Sequence, residues 1–253
     1  MKIGLLTDST ISAFRLNTLK PILKDPAFSI RLAVIDDRPV DSAIKKLKKN
    51  IKRGRGGFVL IMALQKLFAK KENHIPTKAF CQDHGISVVR TLHPYAPETL
   101  EIIRQYDLDL LLLIGGYGIV KEPLLETTPL GVLSYHHGNM RTYRGMPPAL
   151  WELYNGEQEM GITVQILAPG IDCGIPIEEK TIVIYPKDNL RQLEKRALRE
   201  SEGMLYQALK KLADPDFKPQ SIETLGKVYT LPNLKQWITL QLRIWSRKLT
   251  LSF

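Results

Sequence analysis

The stretch GVLSYHHGNMRTYRGMPPALWELYNGE, residues 131–157, ends an apolar run in two adjacent histidines and continues into a loop carrying Arg141, Arg144, glycines and paired prolines. A second polar turn, APGIDCG at 168–174, holds Asp172 after another apolar run. An imidazole and a carboxylate brought together from two such turns can move protons and aim N–H donors at a developing negative charge. His136 and Asp172 are the candidate pair, since a carboxylate beside an imidazole favours its protonated form. Taken singly, His136 also suits a satisfied core histidine, and Asp172 a turn-former after Gly170. His137 faces the opposite side of a continuing strand, a structural or rim position. Cys173 reads as a small filler before it reads as a nucleophile.

The elements that must position these groups are legible as apolar runs. KIGLLTD (2–8), FSIRLAVIDD (28–37), GISVVRT (85–91), LDLLLLIG (108–115) and LGVLSY (130–135) read as strands. GITVQILA (161–168) and IPIEEKTIVI (175–184) read as later strands. The continuous apolar run at 108–115 suits a central parallel strand buried on both faces. Helices are expected after Ser9–Thr10, over the basic segment 41–53, over 58–71 as a largely buried helix, over 96–106, and as one long helix over 189–213. Alternating strands and helices give an α/β chain with a mostly parallel sheet flanked by helices. In such sheets ligands bind beyond the carboxyl ends of the strands, so the polar turns at 114–118, 134–145 and 168–174 are expected to share one edge. A break at DPDFKPQ (214–220) divides a body, 1–213 with a basic helical insert at 41–72, from a short tail, 214–253.

Composition bounds the rest. The chain has 253 residues with 44% hydrophobic content, enough for one large α/β domain. No run reaches the ~18 apolar residues of a membrane span, and the first strand is too short for a signal peptide. Cys81 and Cys173 offer neither a disulfide framework nor metal-ligand spacing, so a reducing cytoplasm is the expected setting. The turn after the first strand is TDST rather than a dinucleotide fingerprint, and no P-loop is present. The net charge of +10 sits in two places. Residues 41–55 carry seven basic groups and one acid, and residues 218–253 carry six and one. Such patches attract anionic partners, although a solvated helix face is the plain alternative. In the tail, Trp237, Leu240, Ile244, Leu249 and Leu251 alternate with Arg243, Arg247 and Lys248 as a basic amphipathic helix. Segment 235–249 could dock on its own domain, a second copy in a homo-oligomer, a membrane or RNA. Docking on protein is the commonest fate.

Ser134-Tyr135-His136, Arg144-Gly145, Asn155-Gly156-Glu157, Gly161-Ile162-Thr163 and Asp172-Cys173-Gly174 follow one another in the order and spacing of a known pattern. That pattern resembles the 10-formyltetrahydrofolate-dependent formyltransferases, a group that includes methionyl-tRNA, glycinamide ribonucleotide and sugar N-formyltransferases. The likeness is good over 108–180, architectural over the first 40 residues, and slight in the insert and tail. It implies a Rossmann-like formyltransferase fold with a short basic helical tail, 10-formyltetrahydrofolate as formyl donor, and a primary amine of a small molecule, sugar or peptide or aminoacyl group as acceptor. His136 and Asp172 then sit at the catalytic positions. Gly115, Gly116, Tyr117, Gly118, Gly170 and Ile171 border the pterin, Gly backbone allowing close approach. Tyr117 either stacks on a ring or caps the core. Asn139 and Arg144 fall at the substrate rim, Arg144 either gripping an anion or bracing its own loop. Trp151 is expected in the core. The tail is shorter than the usual C-terminal barrel of methionyl-tRNA formyltransferases, which ranks tRNA below smaller acceptors.

Two places depart from the family. Its Asn is Ser134 here, a shorter and rotatable donor. Ser134 acts directly or through water, or His137 or Asn139 supplies the missing donor, or the chain keeps a folate pocket without transfer. A second departure is Gly138-Asn139-Met140-Arg141 in place of the family's Ser-Leu-Leu-Pro after the His, which alters the pocket rim. An RNA- or membrane-associating module on the same fold is a further alternative.

Overall fold

Apolar runs without polar interruption become strands buried on both faces, and the computed structural model, which describes residues 1–67, 73–115 and 117–249, builds its centre from them. β1 (Lys2–Thr7) and a short β2 (Thr10–Ser12) lead into α1 (Ala13–Lys24), where the Ser12 hydroxyl caps the first turn by accepting from the Arg15 amide. β3 (Ser29–Asp36) is followed by two insert helices, α2 (Ala43–Lys52) and α3 (Gly56–Leu67). β4 (His74–Pro76), α4 (Thr77–Asp83), β5 (Ser87–Thr91) and α5 (Pro97–Gln105) come next, α5 opening on a proline whose missing N–H costs nothing there. β6 (Leu110–Leu113), β7 (Val132–His136), β8 (Tyr143–Gly145), α6 (Leu150–Asn155), β9 (Glu159–Ile166) and β10 (Ile175–Val183) form the half that carries the polar turns. α7 (Leu190–Ser201), α8 (Met204–Ala213), β11 (Lys227–Tyr229) and α9 (Leu234–Leu249) complete the chain.

The main sheet has seven strands in the order β10-β9-β7-β6-β1-β3-β5. β5, β3, β1, β6 and β7 pair in parallel, whereas β9 runs antiparallel to β7 and β10 antiparallel to β9. Alternate residues of the central strands feed two cores. Leu5, Leu112 and Leu133 face one, joined by α1, α8, α6 and α9, while Leu6, Leu111 and Val132 face the other, joined by α5.

The sheet corrects one expectation. The turn at 168–174 does not leave from the edge shared by the turns after β6 and β7, because β9 is reversed and its end lies beside the start of β7, with Leu133 opposite Ile166. The loop instead folds back over the sheet before β10 begins opposite Ile166. The link from β7 to β9 contains β8 and a single short helix. The single helix expected at 189–213 is two, parted at Glu202–Gly203. The helix expected to be largely buried at 58–71 buries Phe58 but exposes Leu60 and Met62, and residues 68–72 lie outside the described residues. The tail joins the main core through Trp237, Leu240 and Ile244, and β11 pairs with β8. Leu251 lies outside the described residues.

Leu112 is fully buried at the middle of β6. Leu112→Ala is expected to lower the unfolding free energy by about 2–5 kcal/mol in urea titration, from lost burial and the cavity left behind. A loss below about 0.5 kcal/mol would fit a surface position instead.

Candidate active site

Ser134 and His136 stand two residues apart on β7, so they share the face that packs toward α5. Their partners on β9 are Gln165 and Thr163, in register Ser134↔Gln165 and His136↔Thr163. All four side chains are buried, a polar patch in an otherwise apolar sheet. Buried polar groups must find partners, and here they converge on the returning loop. Thr163 donates from Oγ1 to the Gly138 carbonyl at 3.1 Å. Gln165 donates from Nε2 to Asp172 Oδ1 at 3.2 Å and accepts the Gly174 amide on Oε1 at 3.0 Å.

Asp172 is the meeting point. Its Oδ2 accepts the Gly145 amide at 2.7 Å and lies 3.2 Å from His136 Nδ1. His136 Nε2 donates to the Tyr143 carbonyl at 2.7 Å. Both ring nitrogens therefore face acceptors, an arrangement that two N–H donors fill. Asp172 adopts φ 44, the left-handed region that Asp and Asn tolerate better than other side chains. Arg144 holds the same loop, donating from Nε to the carbonyls of Ile171 (2.9 Å) and Asp172 (3.0 Å) and from Nη1 to that of Gly226 (3.2 Å). Those bonds commit Arg144 to bracing backbone. Gly145, at φ 90, lies so close to the Tyr229 carbonyl that a Cβ would run into it. Glycine is required there for β8 and β11 to meet.

The other sequence candidates are dispersed more widely. The Ser134 hydroxyl makes only a long 3.4 Å contact with the Tyr135 carbonyl, leaving it able to turn. His137 and Tyr135 face the opposite core. Tyr135 donates to the Ser201 carbonyl at 2.6 Å, His137 Nε2 lies 3.1 Å from Ser201 Oγ, and the two rings stack at 5.4 Å. Burial lowers the His137 pKa to about 4, so the ring is neutral at pH 7. Asn139 spends its Oδ1 on the Arg141 amide at 2.9 Å, shaping its own turn. The Tyr117 ring caps the core, its hydroxyl donating to the Val34 carbonyl at 3.0 Å, so it does not stack in the cleft. Gly115 lies against the Arg15 guanidinium, where a Cβ would collide. Gly118 adopts φ 64, and Gly116 lies outside the described residues. In the 168–174 loop the carbonyls of Pro169, Ile171 and Asp172 are taken by Cys173 Sγ and Arg144. Among the described residues no protein group accepts from the amides of Gly170, Ile171 or Cys173. Trp151 is buried and donates from Nε1 to the Thr230 carbonyl at 3.0 Å.

Sequence reasoning missed Gln165, Thr163 and Glu152. The first two carry a usable signal, polar side chains inside the apolar run GITVQILA and two apart like Ser134 and His136. Glu152 is 2% exposed and lines a small pocket with His136, His137, Tyr143 and Arg144. Burial raises its carboxyl pKa from 4.5 to about 7.

That shift has a definite sign. The folded chain holds the Glu152 proton up to about pH 7 whereas the unfolded chain releases it near 4.5, so this residue's contribution is full below 4.5 and is lost as pH rises through 7. Glu152→Gln removes the effect. Its stability relative to the parent is expected to climb between pH 4.5 and 7 by the order of a few kcal/mol and then level off, read as the difference of urea midpoints. A difference that stays flat with pH would show that Glu152 is not held protonated.

Comparison with known proteins places this geometry. A family model described as Formyl transferase matches residues 40–209. The methionyl-tRNA formyltransferase of Trichlorobacter lovleyi is 30% identical over 161 residues, covering 64% of this chain and 51% of that protein. The chain thus spans about half the length of the curated relatives it matches. Among solved structures, an N-formyltransferase from Helicobacter canadensis, in complex with folinic acid and dTDP-3-aminofucose, superposes with a TM-score of 0.59 at 14% identity, covering 97% of this chain and 80% of that one. The phosphoribosylglycinamide formyltransferase of Anaplasma phagocytophilum gives a TM-score of 0.59 at 15% identity, covering 90% and 99%. With two thirds of its length matched by the family model, and the fold shared with these structures, the chain belongs to the formyl transferase family.

Proposed function

We propose that the chain transfers a formyl group from 10-formyltetrahydrofolate to a primary amine. The observation that carries this reading is the His136–Asp172 pair, held with Ser134 on one buried polar face at the positions of the family pattern. The reaction joins the amine nitrogen to the formyl carbon and breaks the carbon's bond to the folate nitrogen. The proton the amine loses equals the one the folate nitrogen gains. Charge accumulates on the formyl oxygen between these events, and donors aimed at that oxygen lower the barrier. The formyl donor supplies an activated one-carbon unit, and the amides of Gly170, Ile171 and Cys173 are suited to its pterin edge. His136 and the Ser134 hydroxyl are the donors nearest to hand. Asp172 keeps the ring oriented and settles its positive charge. Gln165 and the Gly145 amide keep Asp172 in place.

The acceptor is a small-molecule, sugar, peptide or aminoacyl amine. Relatives named as methionyl-tRNA formyltransferases and a neighbour holding a dTDP-amino sugar support both ends of that range. Two observations favour a second reading, a folate-binding protein without transfer. His136 Nε2 is already bonded to the Tyr143 carbonyl, and the family Asn is Ser134.

The test is release of tetrahydrofolate from 10-formyltetrahydrofolate in the presence of a pool of amines, with mass spectrometry for an amine that gains one CO unit. Turnover is expected, with Ser134→Ala lowering kcat by about 10²–10³ and His136→Ala by at least as much. Folate binding without formyl release, restored to turnover by Ser134→Asn, would favour the second reading. Full turnover in His136→Ala would overturn the assigned role of the ring.

A further inference from the structure

The two basic segments take no part in the cleft, yet they meet. Gly56 at the start of α3 packs against Ile51 of α2, and Gly57 packs against Leu234 of α9. Phe58 and Trp237 lie 5.2 Å apart between ring centroids, and Arg55 donates to Thr230 Oγ1 at 2.8 Å. The three helices thus form one continuous layer on the protein.

This layer carries more apolar surface than the core uses. α9 buries Trp237, Leu240 and Ile244 against the body. A second apolar row, Leu234, Ile238, Leu242, Trp245 and Leu249, advances by three or four residues along the same helix and is exposed throughout. α2 buries nothing, and Val40, Ile44 and Ile51 stand 78%, 68% and 57% exposed. Leu60 of α3 is 58% exposed. Around these rows stand Lys45, Lys46, Lys48, Lys49, Lys52 and Arg53, with Lys235 and Lys248 on α9, all exposed, while Arg243 and Arg247 turn to the body, over the Tyr154 ring and on the Tyr185 carbonyl. Asp41 is the sole acid in 41–55, and 234–249 holds none.

We propose that the α2–α3–α9 layer docks on an anionic lipid surface, with the aliphatic rows and Trp245 entering the headgroup boundary and the cations meeting lipid charge. Apolar rows flanked by lysine and arginine, with an aromatic ring at the margin, are what such an interface selects. A second copy of this chain would set the same cations face to face, which charge repulsion opposes. RNA would satisfy the cations but leave eight exposed aliphatic side chains in water, since base stacking uses aromatic rings and among the described residues of this face Trp245 is the one aromatic ring.

The chain's three tryptophans make the test direct, because Trp151 and Trp237 are buried and Trp245 is 63% exposed. The full chain is mixed with phosphatidylcholine vesicles with and without phosphatidylglycerol, and sedimentation and tryptophan emission are recorded. The expected result is binding to the anionic vesicles only, a blue shift of emission on binding, and at least a ten-fold loss of partitioning in Leu242→Asp and separately in Lys48→Glu/Lys49→Glu. All three positions are exposed, and unchanged circular dichroism with unchanged formyl release shows that the variants fold and that the cleft is independent of this face. Three results would overturn the proposal. They are equal partitioning to neutral and anionic vesicles or to neither, a concentration-dependent dimer abolished by Leu242→Asp, and salt-sensitive retention on RNA without any vesicle binding.

Discussion

The Asp172 carboxylate ties together parts of the chain that no local rule would join. One oxygen takes the Gly145 amide and faces His136, and the other takes Gln165. The loop that presents it is gripped from outside by Arg144 on the carbonyls of Ile171 and Asp172. The end of β7, the β8 loop, β9 and the return into β10 therefore share one charged node. A buried polar patch without that node would hold unsatisfied groups, each costing about 1–3 kcal/mol. With it, His136, Gln165 and the Gly145 amide all find a partner in one carboxylate.

The reversal of β9 makes this possible. A parallel β9 would carry the loop out beyond the same edge as His136, where a carboxylate and an imidazole could meet only above the sheet. Antiparallel pairing sets Thr163 and Gln165 opposite His136 and Ser134, so the strand itself supplies Gln165 to steady Asp172 and Thr163 to hold the Gly138 carbonyl. The loop then needs only to fold back across one strand. Glycines mark the tightest approaches, Gly174 against the Ile166 carbonyl and Gly145 against that of Tyr229. The tail contributes through β11, whose Tyr229 sets the position of Gly145 and with it an amide that Asp172 accepts.

The parallel half of the sheet was legible because buried parallel strands are written as uninterrupted apolar runs, as in LDLLLLIG. His136 and Asp172 were legible because ordered motifs surround both. The opposite facing of His137 followed from strand alternation alone, and stacking on Tyr135 accounts for it. The direction of β9 was not legible, since GITVQILA reads the same in either sense and only its pairing with β7 decides. Gln165 escaped notice because a single polar residue in a strand looks like a solvent-facing position until its cross-strand partner is known. Tyr117 was ambiguous because the aromatic ring of a Gly-flanked loop can turn inward or outward. The Val34 carbonyl on the inner side resolves it. The second apolar row of α9 was hidden because its members and the core-facing ones alternate within a single helical pattern.

The central claim is that His136 and Asp172 act as one unit. A double-mutant cycle on tetrahydrofolate release, with His136→Ala, Asp172→Asn and the double variant, measures that directly. Asn is apt because it tolerates the left-handed backbone that Asp172 adopts and removes the charge, exchanging one acceptor oxygen for an NH2. Coupling is expected to be strong, the double variant being little worse than His136→Ala by itself. Losses that multiply independently would show that the ring and the carboxylate do separate jobs, and would contradict the account.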